Sequence, residues 1–321
     1  MNTSVVGKSS QGKLTLRHLY DKYSMIIIFV VMFVLFAAFV PYFLTVRNMT
    51  GLLLSVVTTG LLANTMMFAL ASGDFDLSIG SVVALSGVLV ALVLNRTGNV
   101  WLAVAVGILA GGGVGLINGF AVAKLQLNAL IATLATQMMF RGVTLIASNG
   151  RAVGIREVSF YSFGSSQWLG LPGPVWLLMV SFIIFGILLN KTVFGRDTLA
   201  VGGNARAARL AGVNVERIKM IIFTIQGLMA GFAGVILASR MTSGQPNAAQ
   251  GLEMDVIAAC VLGGVSLKGG VATMSGVIVG VLIMGMVSNV LNLLNVPTFY
   301  QYLARGSILL AAILLDKLKQ D

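Results

Sequence analysis

Two pairs of carboxylates interrupt an otherwise apolar chain: Asp74 and Asp76 in ASGDFDLSIGS, and Glu253 and Asp255 in GLEMDV. A charge held in a bilayer costs a few kcal/mol at least, so an acid in such a setting is capped, paired or used. Asp76, just ahead of Leu77-Ser78-Ile79, is placed to accept from the free N–H groups of a following helix. The competing reading puts Asp74 and Asp76 on a polar path or gate. Arg141 and Arg305 fall inside apolar runs and must pair with a carboxylate, reach carbonyls or snorkel. Thr133, Thr136 and Gln137 recur at i, i+3 and i+4, which puts a polar stripe on one helix face, with Asn128 just before that helix. Helix–helix hydrogen bonding and the lining of a path both account for the stripe.

Catalytic chemistry finds no support in the chain. No phosphate-binding G-x-x-x-x-G-K-[ST] loop, G-x-S-x-G elbow, H-E-x-x-H pair or dinucleotide fingerprint occurs, and GGVSLKGG at 263–270 has the wrong spacing for a phosphate loop. The single histidine, His18, and the single cysteine, Cys260, leave no histidine- or cysteine-rich metal site and no disulfide framework. The chain is not expected to be an enzyme or to hydrolyse ATP itself.

The elements that hold these residues are membrane spans. The chain is 57% hydrophobic and 10% charged, with mean hydropathy +0.96, whereas a soluble domain carries about 25% charge. Ten apolar segments are expected: 25–44, 49–71, 79–94, 100–123, 129–147, 174–189, 220–238, 256–265, 271–294 and 302–315. The eighth is too short to cross unless 252–255 extend it. The first, preceded by Lys8, Lys13, Arg17 and Lys22, is too long for a signal-peptide core and reads as a first span.

With the N-terminus inside, fourteen basic residues lie on cytoplasmic segments and five outside, as the positive-inside rule requires. The net charge of +11 is therefore a topology signal, and no nucleic-acid partner is inferred from it. The expected fold is an all-α, polytopic transmembrane helix bundle of about ten spans with both termini cytoplasmic. Residues 1–24 form a cytoplasmic tail, 25–315 the membrane domain and 316–321 a cytoplasmic C-terminus. The 38 glycines, among them Gly111-Gly112-Gly113, Gly115 and Gly119, fit close helix packing.

One long polar loop, 190–219, holds six of the 21 basic residues. Within it Asn204 can cap a short helix and Gly212 can close it in the left-handed conformation. Arg206 and Arg209 share one face; Ala207, Leu210 and Ala211 share another. A small apolar strip beside two arginines suits docking into a partner's groove. The same pattern also suits a helix lying on the protein's own surface.

The stretch NARAARLAG followed by a span resembles the coupling loop of permease subunits of bacterial ABC importers. More narrowly, SGDFDLSIGS, ALIATLAT, FGR…AVGGNARAARLAGV and CVLGGVSLKGGVA together resemble the ribose-type sugar permeases over nearly the whole chain. SGDFDLS, LLNKTVFGRDTLAVGGN and ASRMTSGQP are closest to the wording of the family's L-arabinose members. The resemblance implies a homodimeric, multi-pass protein of the bacterial inner membrane. Its partners would be an ATP-binding subunit with two nucleotide-binding halves and a periplasmic sugar-binding protein. No cofactor would bind this chain; ATP and magnesium would be used by the ATPase subunit. Asn204, Arg206, Ala207, Ala208, Arg209, Leu210 and Gly212 are the expected coupling residues. Asp74, Phe75, Asp76, Asn128 and Thr133 are the expected path residues.

Overall fold

Seven helices are long and apolar enough to cross a membrane among the described residues of the computed structural model, which cover 25–320, with side chains described to 314. In chain order the elements begin with α1 (Met25–Phe39), α2 (Val46–Ala71), α3 (Ile79–Thr97), α4 (Val100–Ala123) and α5 (Ala129–Ser148). A segment of short elements follows: β1 (Val153–Gly154), a 3-10 turn (Val158–Tyr161), α6 (Ser162–Ser165), β2 (Gln167–Trp168) and β3 (Leu171–Pro172). Then come α7 (Gly173–Lys191), α8 (Val193–Gly203), α9 (Ala205–Leu210) and α10 (Val215–Met241). The chain closes with β4 (Ser243–Gly244), α11 (Leu252–Leu262), α12 (Met274–Leu293) and α13 (Thr298–Gln320). The seven spanning helices are α2, α3, α4, α5, α7, α10 and α12. The tail 1–24 lies outside the described residues.

The fold is thus an all-α membrane bundle, and the differences from ten full spans have physical causes. The first apolar run is a 15-residue helix, α1, followed by a turn that tucks Phe43 into the core at 1% exposure. Residues 252–255 do extend the eighth segment, but α11 still has only 11 residues, about 16 Å of rise against a hydrocarbon core of about 30 Å. The last helix, α13, runs to residue 320 with side chains described only to 314, and it stands outside the count of seven, which covers the described residues.

The most enclosed helices are α2 and α3, whose central windows are 78% and 72% buried, against 22% for α5. They form the middle of the bundle. The most extensive helix pairing is α4 on α10, and glycine makes it possible: a Cβ on Gly111 or Gly115 would run into the backbone of Gly227 or Phe223. Gly113, two residues along, has nothing within 4 Å of its added Cβ, while Gly119 would place one 3.1 Å from Met220. Gly113→Ala is therefore expected to leave thermal stability of the purified protein undiminished. Gly119→Ala should cost about 1–3 kcal/mol through overpacking, read as a lowered melting temperature.

The connections gather at two ends. At one end lie the termini of α2, α4, α8 and α11, tied by Lys124–Glu216 at 2.7 Å and by the Gly270 N–H donating to the Ala71 carbonyl at 2.9 Å. At the other, β1 pairs antiparallel with β4, and Asn95 bonds both the Gly154 carbonyl and the Arg156 N–H.

Candidate functional site

The polar segment after α7 folds as a hairpin of two short helices. Thr192 caps α8, its hydroxyl oxygen accepting from the Gly195 N–H at 3.2 Å. Asn204 then ends α8 and caps α9, its Oδ1 accepting from the N–H groups of Arg206 and Ala207, both at 3.0 Å. Gly212, at φ +88°, turns the chain out of the helix, with the Gly212 N–H donating to Arg209 O and the Val213 N–H to Ala208 O. Both ends of the expected helix are as the sequence required.

Its orientation sets one residue apart from the other expected coupling residues. Leu210 stands 91% exposed, with Arg206, Ala207, Arg209 and Ala211 also in the open, but Ala208 is buried at 5%. A six-residue helix lying flat must turn one side down, and Ala208 is on that side. It seats α9 against the rest of the protein.

Beneath the hairpin three glycine-bearing segments meet. A Cβ on Gly202, near the end of α8, would overlap the Ala71 carbonyl and Gly270 N. Gly269 and Gly270 adopt φ of +87° and +79°, which lets the turn after α11 lie flat against Gly202 and Gly203. The GGVSLKGG stretch is therefore a wedge between the α8–α9 hairpin and the C-terminus of α2.

The carboxylate loop leads directly from that junction. Asp74, 7% exposed, meets the Lys219 ammonium at 2.8 Å. Burial pushes its carboxyl above the usual carboxylate range, and Lys219 pulls it back. Neither expectation for Asp76 fits the geometry fully. It caps no first-turn N–H of α3; its Oδ1 accepts from the N–H and hydroxyl of Ser78, at 2.9 and 2.6 Å. Asn118 on α4 donates to that same hydroxyl at 2.8 Å. The Thr133 hydroxyl oxygen accepts from the Leu77 N–H at 3.0 Å. The polar stripe on α5 is spent on helix contacts, with Gln137 donating to Glu253 at 2.9 Å. Asn128 caps α5 through the Ile131 N–H at 3.3 Å.

A cleft of about 590 Å³ opens here, and Asp74, Phe75, Asn128, Arg209, Glu216 and Lys219 are among the residues that line it. Four residues picked from two separate expectations, Asp74, Phe75 and Asn128 for a path and Arg209 for coupling, share one wall-to-wall space. Asp76 and Thr133 are buried behind it. Asn204, Arg206, Ala207, Leu210 and Gly212 face outward on the hairpin. Lys219, which sequence reading counted only as loop charge, is the residue that joins the two sets. Its position one turn into an apolar helix was the available signal.

The family described as branched-chain amino acid transport system / permease component matches residues 48–313. The chain belongs to that permease family. The permease is 55% identical over 302 residues to the L-arabinose transport system permease protein AraH of Escherichia coli K12, covering 94% of this chain and 92% of the relative. It is 54% identical over 303 residues to the L-arabinose ABC transporter permease protein AraH of Azospirillum brasilense, covering 94% and 89%. The ribose import permease protein RbsC of Bacillus subtilis is 42% identical over 281 residues, 87% of each chain. No solved structure matches the permease.

The arginines inside the permease's apolar runs are both partnered. Arg141 donates to the carbonyls of Pro246 and Ala248 at 2.7 and 2.9 Å, and Arg305 to Asp255 at 2.8 Å.

Proposed function

We propose that this chain is the membrane-spanning, non-catalytic subunit of an ATP-driven, binding-protein-dependent importer that carries L-arabinose inward by alternating access. The observation that carries the reading is the α9 hairpin. A helix capped at both ends presents Leu210 and Ala207 to solvent, while its base is keyed through Gly202 to the loop bearing Asp74. A rigid, exposed apolar knob keyed to a charged loop is what a motor subunit needs to grip. The identity with arabinose permeases across nearly the whole length supports the sugar. The family description names branched-chain amino acids, whereas these relatives are named for L-arabinose or ribose.

The finer features belong to the same proposal. The chain crosses the bacterial inner membrane ten times with both termini cytoplasmic, counting α1 and α13 as crossings and 242–262 as one crossing that ends in the half-length α11. The end carrying α8 and α9 is cytoplasmic. Two copies pair, an ATPase subunit with two nucleotide-binding halves seats on α9, and a periplasmic sugar-binding protein delivers the sugar. ATP and magnesium act on the ATPase.

An ion-coupled carrier would need free charges deep in the bundle, and the pairing of Arg141, Arg305 and Asp74 argues against it. Reconstitution separates the two readings. Vesicles holding the permease and ATPase are expected to take up labelled L-arabinose only with binding protein outside and ATP inside. Uptake by this chain alone on a proton or sodium gradient would overturn the importer reading.

A further inference from the structure

The membrane domain holds a second polar space, remote from the α9 hairpin. Helix α13 packs on α11 but leaves a cleft of about 430 Å³ against α2 and α12. Its lining includes Ser55, Thr59, Ser288, Asn289 and the Asp255–Arg305 pair. The cleft is tied shut above and below. At the end nearest the start of α2, Asn48 and Asn289 exchange amide hydrogen bonds at 3.0 and 2.8 Å, and Gln301 donates to Asn292 at 3.0 Å. At the other end Arg305 reaches Asp255 in the first turn of α11.

Such a surface does not suit lipid tails. Hydroxyls, amides and an ion pair facing hydrocarbon would each carry a desolvation cost. Thr59 and Ser288 line this space with hydroxyls that find no hydrogen-bond partner among the described residues, and the Arg305 Nε is buried without a partner there. The volume is within the range of small-molecule sites. The ion pair cancels its own charge, so the space offers donors and acceptors without a net charge. A neutral polyol matches that combination, since each of its hydroxyls both donates and accepts.

We propose that this cleft is a polyol-binding vestibule within the permease, with Thr59 and Ser288 as hydroxyl contacts and the Asp255–Arg305 pair as its floor. This rests on the importer reading and deepens it: the membrane subunit holds the sugar itself before passing it inward. Opening the floor requires parting Arg305 on α13 from Asp255 on α11.

The test uses the chain's single cysteine, Cys260, which is fully buried. Ser288→Cys and Thr59→Cys are made separately in the complete permease–ATPase complex in nanodiscs, and treated with a charged methanethiosulfonate. Ile183→Cys on the exposed face of α7 is the lipid-facing control. Both cleft cysteines are expected to react and the control is not. L-arabinose, without binding protein, should slow their labelling saturably, by about fivefold at a concentration about four times its Kd. Sodium chloride at the same osmolarity should not. Absence of labelling, which means a dry or lipid-filled cleft, overturns the proposal. So does labelling that no pentose slows. Uptake of labelled L-arabinose by the wild-type complex with binding protein, measured alongside, tests the importer reading separately.

Discussion

Ala207→Glu combined with Leu210→Asp is expected to abolish ATP-driven uptake while leaving the amount of permease in the membrane unchanged. The reason is that Leu210, at 91% exposure, contributes nothing to the core, and Ala207 is also in the open. Surface changes of this kind stay within about 0.5 kcal/mol of folding stability. At an interface the same residues act differently. Leu210 is the only large apolar side chain on α9, the natural anchor for a partner's pocket, and anchors of this kind are worth about 2 kcal/mol or more. Replacing it with a carboxylate adds the cost of desolvating a charge. A loss of about 3 kcal/mol corresponds to more than a hundredfold in affinity. The measurements are co-purification of the ATPase subunit and sugar uptake in the same preparation. Intact co-purification with normal uptake would show that α9 is a helix lying on the protein's own surface. Ala208 is the contrasting position. Because it is buried, Ala208→Glu should lower the yield of folded permease, and a transport defect there would say nothing about docking.

That difference between Ala207 and Ala208 marks where the sequence stopped being readable. The capping of α9 was legible because it is local: Asn204 and Gly212 each satisfy groups within a few residues. Which side of a six-residue helix lies down depends on α8 and α10, and no periodicity in so short a segment carries it. The charged residues follow the same division. The cost of burial dictates that Asp74 and Arg305 need partners, but the partners lie 145 and 50 residues away. Spans were legible where a run of about 20 apolar residues stands alone. They were less legible at α1 and α11, where a turn at residue 40 and a glycine turn at 263–264 bound helices of 15 and 11 residues. The segment from 149 to 172 gave no periodic signal, yet Phe160 within it is fully buried and its backbone pairs with β4. The glycines of 202–203 and 269–270 looked like separate motifs; only the fold makes them one junction.

The Asp74–Lys219 pair is where that junction meets the candidate path, and breaking it is the second large effect. Asp74→Gly leaves the Lys219 ammonium, 21% exposed, without its counter-charge. Removing one partner of a fully buried pair costs about 3–5 kcal/mol, and partial exposure of the lysine reduces this to roughly 1–3 kcal/mol. At about 1.4 kcal/mol per decade, uptake limited by the paired state is expected to fall roughly tenfold or more. Lys219→Met should do similar harm for the converse reason, since the Asp74 carboxyl, already raised by burial, loses the group that lowers it. The double variant Asp74→Gly/Lys219→Met buries no unpaired charge, so it should recover expression and stability beyond either single change. Transport separates a structural role from a coupling one. If the pair transmits the movement of α9 to the loop at 72–78, the double variant will hydrolyse ATP with its subunit attached but move little sugar. If it recovers full uptake as well as stability, the pair merely neutralises two charges, and the connection from the hairpin to the path runs through Gly202 and Ala71 alone. Wild-type uptake by Asp74→Gly itself would remove the carboxylate from the mechanism altogether.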